Sequence, residues 1–72
     1  MHFEPKDLDL VANLKMPFGK YRGRKIIRLP EAYLLWFSDR GFPTGELGRI
    51  MMLALTLKET GLEDLVKPLE RP

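Results

Sequence analysis

The most regular pattern in the chain runs from Thr44 to Thr60. Leu47, Ile50, Met51, Ala54 and Leu57 recur at helical spacing, and Leu53 and Leu55 widen that stripe to about half the circumference. Arg49, Met52, Thr56 and Glu59 fill the outer side. Thr44 suits an N-cap, Glu46 complements the helix dipole, and Gly61 supplies a stop after Lys58. The pattern predicts a helix over 44–60. So broad an apolar face needs cover from a second helix and the tail, or from another copy of the chain.

A second helix is predicted over 30–40. Pro30 fits the first helical position, Glu31 the positive end of the dipole, and Gly41 the stop. At 100° per residue Tyr33, Trp36, Phe37 and Arg40 share one face and Leu35 lies opposite. Aromatic residues at this spacing are most often core, so the helix is expected to be central and mostly buried. The sharper reading of the same face is a stacking platform.

Residues 14–28 read as a hairpin. Leu14 to Phe18 alternates apolar and polar positions, with Pro17 marking a sheet edge because it lacks an amide hydrogen. Gly19 and Gly23 bracket Lys20, Tyr21 and Arg22 as a turn, and Arg24 to Arg28, with β-branched Ile26 and Ile27, forms the return strand. Residues 1–13 fit either a short strand or one helical turn, and are expected as a partly ordered arm packing Leu8, Leu10 or Val11 on the core. Leu62, Leu65 and Val66 suggest a short closing turn before Pro68. The expected fold is α+β: a two-stranded antiparallel hairpin packed on two main helices, with a short C-terminal helical turn. Its divisions are an arm at 1–13, a globular domain at 14–67 and a frayed tail at 68–72.

Length and composition narrow the function. A chain of 72 residues is one small domain able to bury about 60% of its unfolded surface. It has no cysteine, which removes disulfides, thiolate metal sites and a cysteine nucleophile. Its one histidine, His2, stands beside Met1, too peripheral to serve as a general base within the domain. Asp7 with Asp9 and Glu63 with Asp64 are the paired carboxylates, and neither pair has a spacing that favours a metal. An enzyme is therefore not expected, nor any cofactor. No basic leader or apolar run near the ~20 residues of a membrane span occurs, so a cytoplasmic location is expected.

The net charge of +2 conceals a strong division. Between Leu10 and Pro30 stand Lys15, Lys20, Arg22, Arg24, Lys25 and Arg28 with no acid, whereas the rest of the chain has 6 bases and 10 acids. A local basic patch governs association more than the total does. Two glycines permit close approach, four cations surround them, and Tyr21 offers a ring; single-stranded nucleic acid binding uses this combination. The plainer reading is a solvated turn whose cations keep a strand edge soluble. No Gly-Lys-Ser or Gly-Lys-Thr follows, so this is not a Walker loop. Met16, Met51 and Met52 read as core packing before they read as an adaptable partner surface.

The run Met16-Pro17-Phe18-Gly19-Lys20-Tyr21-Arg22-Gly23, then Leu29-Pro30-Glu31 and Tyr33-Leu34-Leu35-Trp36-Phe37, resembles a small bacterial family described as putative quorum-sensing-regulated virulence factors. Gly41-Phe42-Pro43 and Gly45-Glu46-Leu47-Gly48 extend the likeness over roughly 14–62. A Phe-Gly-Lys-x-x-Gly plus Tyr-Leu-x-Trp pattern is also similar to the accessory segment after the nuclease domain of some exonuclease-X-like enzymes. The first resemblance implies regulation and virulence. The second implies a DNA-facing, non-catalytic role for Lys20, Tyr21, Arg22, Arg24 and Lys25, and the charge pattern adds Arg28. The chain is thus expected to be a small accessory module contacting single-stranded DNA or RNA. The alternative is a protein-interaction module in quorum-sensing-regulated virulence, acting through helix 44–60 or the strand edge, as a homodimer or with another protein.

Overall fold

The computed structural model describes residues 4–72, so the readings for Met1 and His2 lie outside the described residues. Three α-helices set the frame: α1 (Pro5–Asn13), α2 (Glu31–Arg40) and α3 (Gly45–Glu59). Short 3-10 turns occupy Ile26–Arg28, Glu63–Leu65 and Lys67–Leu69. Among the described residues there is no strand, which overturns the expected α+β class and the β-hairpin within it.

What replaces the hairpin is a loop over 14–25 closed by a single antiparallel bridge, Lys15 to Lys25. The Met16 amide donates to the Arg24 carbonyl at 2.8 Å and the Ile26 amide to the Leu14 carbonyl at 2.9 Å. Pairing cannot extend far in either direction. Pro17 has no amide to give, and two overlapping turns reverse the chain, Arg22 to Gly19 and Arg24 to Tyr21. On the return side Ile26 and Ile27 are both buried. A strand with one covered face alternates its side chains, so adjacent buried isoleucines select the tight 3-10 turn instead.

α3 is the central element. Ile50, Met51, Leu53, Ala54, Leu55 and Leu57 are all buried, covered by α1, α2, the Ile26–Arg28 turn and the Glu63–Leu65 turn. Its cover comes from within the chain, so the broad stripe does not stand open for a second copy. α1 adds Val11 and Ala12 to the core, and Met16, Ile26, Leu29 and Val66 complete it. Gly48 lets the N-terminal turn of α3 lie on the preceding bend: a Cβ there would stand 1.7 Å from the Pro43 carbonyl oxygen.

α2 departs from expectation. Leu34 is its single buried residue, so the helix is peripheral rather than central. α2 lies on α3 yet gives the core one fully buried side chain, with Tyr33 and Phe37 packed half-buried beside it, and its aromatic face turns towards loop 14–25. Residues 68–72 are not loose ends in contact terms. Asn13 Nδ2 donates to the Leu69 carbonyl at 2.9 Å, the Arg71 amide donates to Asn13 Oδ1 at 2.7 Å, and the Arg71 guanidinium pairs with Asp9 at 2.7 Å. No helix among the described residues is long and apolar enough to cross a membrane.

Candidate functional site

The site is built where loop 14–25 meets α2. Buried Met16 anchors the start of the loop. Gly19, at φ +79°, then passes so close to α2 that a Cβ would stand 3.1 Å from the Tyr33 hydroxyl. A larger residue here would be strained twice, by its backbone angle and by its neighbour.

That close passage brings rings from the two elements into one series. Tyr21 meets Tyr33 edge-on at 4.8 Å between centroids, Tyr33 meets Phe37 at 5.2 Å, and Phe37 meets Trp36 at 5.1 Å. Phe18 joins from the loop, 6.5 Å from Phe37. Tilted and edge-to-face pairs contribute about 0.5–1.5 kcal/mol each beyond area burial. The Phe18–Phe37 and Tyr21–Tyr33 pairs tie the loop to α2. Phe18 remains 43% exposed and Trp36 49%. Between them lies an open groove of about 490 Å³, bordered by Phe18, Tyr21, Pro30, Tyr33, Trp36 and Phe37.

Cations stand over two of the rings that line the groove. Lys20 Nζ lies 5.5 Å and the Arg24 guanidinium 4.9 Å from the Tyr21 ring centre, and the Arg40 guanidinium lies 4.4 Å from that of Trp36. All are within the ~6 Å over which a ring face attracts a cation. Thus Lys20, Tyr21 and Arg24 are brought together, with exposed Arg22 in the same turn.

Lys25 and Arg28 are directed elsewhere. Lys25 Nζ donates to the Arg71 carbonyl, and Arg28 makes a two-pronged pair with Glu70 at 2.9 and 2.7 Å. The Arg28 contact holds the Glu70 carboxyl below its ordinary value, and Glu70 raises Arg28 in turn. Among the described residues, carboxylates pair with Lys6, Arg28, Arg49, Lys58, Lys67 and Arg71. Lys15, Lys20, Arg22 and Arg24 pair with none.

Phe18, Tyr33, Trp36, Phe37 and Arg40 are members of this surface outside the expected anion-binding set, and Tyr33, Trp36 and Phe37 are those whose core reading is preferred in the sequence to a stacking platform. A signal was present: Arg40 shares the face of Tyr33, Trp36 and Phe37, and a face wholly devoted to the core would not close on an arginine. Chemically the arrangement offers flat apolar surfaces beside uncompensated positive charge.

The family described as "Putative quorum-sensing-regulated virulence factor" matches residues 4–69. The chain is also 53% identical over 70 residues to "Uncharacterized protein YpeB" of Escherichia coli (strain K12), covering 96% of this chain and 97% of that protein. The protein of the same description in Escherichia coli O157:H7 matches with the same identity and coverage. No solved structure matches the chain.

Proposed function

The chain belongs to the family described as "Putative quorum-sensing-regulated virulence factor", and from that premise we propose that it is a non-catalytic accessory or regulatory module whose loop 14–25 contacts the phosphates of nucleic acid. The observation that carries the reading is the set of cations without acidic partners. Lys15, Lys20, Arg22 and Arg24 cluster in sequence on one loop, while each of the six ion pairs of the described residues uses a base outside 14–25. Such cations need no release from an internal carboxylate before they meet an external anion.

Lys20, Arg22 and Arg24 carry the phosphate contact, with Tyr21 set among them and Lys15 at the loop's base. Lys25 and Arg28 contribute less, since the C-terminal segment holds both. In the rival reading, a protein-interaction module acting through helix 44–60 or the strand edge, as a homodimer or with another protein, the α3 face is one already covered by α1, α2 and the 3-10 turns.

The test is the triple variant Lys20→Glu, Arg22→Glu, Arg24→Glu, titrated with a fluorescent oligodeoxythymidine at low salt. All three positions are exposed, so circular dichroism is expected to match the wild type while binding is lost. A folded triple variant that binds like the wild type removes the loop as the contact.

A further inference from the structure

We propose that the aromatic groove between loop 14–25 and α2 is a nucleobase-stacking site, so that the module takes unpaired nucleotides and not duplex. This rests on the phosphate contact proposed above and specifies which form of nucleic acid the same surface accepts.

The argument begins with what the rings are not used for. From α2 the core takes Leu34 in full and Tyr33 and Phe37 in part, leaving Trp36 and Phe18 about half exposed although both are large and apolar. The rings meet edge to face, with interplanar angles of 60° to 85°, which uses one face of a ring in each pair, and Arg40 lies over Trp36; the surface open to an incoming ring is the exposed 43% of Phe18 and 49% of Trp36. The groove's ~490 Å³ lies within the ~300–1,000 Å³ common for small-molecule sites.

Charge then selects the occupant. Cations stand beside two of the lining rings, Lys20 and Arg24 by Tyr21 and Arg40 by Trp36. None of the residues bordering the groove is acidic. An apolar helix of another protein would match the rings but leave those cations without partners. A single strand matches both, since its bases lie flat on aromatic rings while its phosphates pass the cations beside them. Paired bases in a duplex are already stacked and present no free ring face to this groove.

The chain carries its own reporter, because Trp36 is its one tryptophan. The wild-type protein is titrated with an oligodeoxythymidine of about 12 nucleotides, and separately with a fully abasic strand of equal charge. Trp36 emission is expected to fall on adding oligothymidine and to stay unchanged with the abasic strand. Trp36→Ala and Phe18→Ala, each at an exposed position, are expected to weaken oligothymidine binding about 5- to 150-fold with the salt dependence retained. Equal affinity for the two strands, with Trp36 silent, overturns the base-stacking inference while leaving the phosphate contact standing. Failure to bind either strand overturns both. A dimer that forms in sedimentation without oligonucleotide and is broken by Trp36→Ala would assign the groove to a second copy, and would also overturn it.

Discussion

Asp7 has no accessible surface, yet its carboxylate is anchored in charged form. Oδ2 pairs with Arg49 and accepts the Glu4 amide at 2.8 Å, the side-chain half of a capping box at the start of α1. The Arg49 contact is the larger influence, the Glu4 amide the next, and together they outweigh desolvation in so thin a domain, holding the carboxyl below its ordinary 3.8. Asp9, beside Arg71, is lowered in the same sense, as is Glu70 beside Arg28. Each of these groups takes up its proton more readily unfolded than folded. Their stabilisation is therefore complete above the unfolded values and is lost as pH falls through the folded ones. Thermal melting should show Tm falling steeply below about pH 4. Asp7→Asn should lower Tm at neutral pH and flatten that acid limb, and an unchanged profile would contradict the assignment. None of this was legible beforehand. Asp7 and Asp9 read as a pair in sequence, but each serves a different arginine far along the chain.

α3 shows how much a periodic pattern can reveal, because its bounds and its buried face follow from spacing and end residues alone. Loop 14–25 shows where such reasoning stops. Alternation and two glycines suggested a strand pair, but the burial of both Ile26 and Ile27 is a tertiary fact with no mark in the local pattern. α2 fails differently: its extent was legible and its depth was not, since depth depends on how much of the rest of the chain packs over its outer side. The distinction is measurable. Leu34→Ala should cost about 2–5 kcal/mol through lost burial and a cavity, whereas Trp36→Ala should cost about 1 kcal/mol or less. Equal losses in chemical denaturation would mean that Trp36 belongs to the core after all. The candidate site was legible in half. Lys20, Tyr21, Arg22 and Arg24 stood out by charge and glycine spacing, but the groove exists only because Gly19 lets the loop approach Tyr33.

Between residues 14 and 28, and at the C-terminal end they meet, positive charge is sorted into two kinds. One kind holds the chain ends to the body: Arg28 with Glu70, Arg71 with Asp9, and Lys25 with the Arg71 carbonyl. The other kind, Lys15, Lys20, Arg22 and Arg24, has no internal acid to satisfy it. The division explains why six bases in one stretch do not amount to six equivalent contacts. Glu70→Gln should release Arg28 and steepen the salt dependence of oligonucleotide binding by about 0.7 in log–log slope. The measurement closest to the central claim is the salt titration itself, with wild-type protein and oligothymidine. Three or four loop cations on phosphates predict a slope of about −2 to −3, and a roughly 20- to 50-fold loss of affinity between 50 and 200 mM salt. A slope near zero, or one that the Lys20, Arg22 and Arg24 reversals leave untouched, would contradict it.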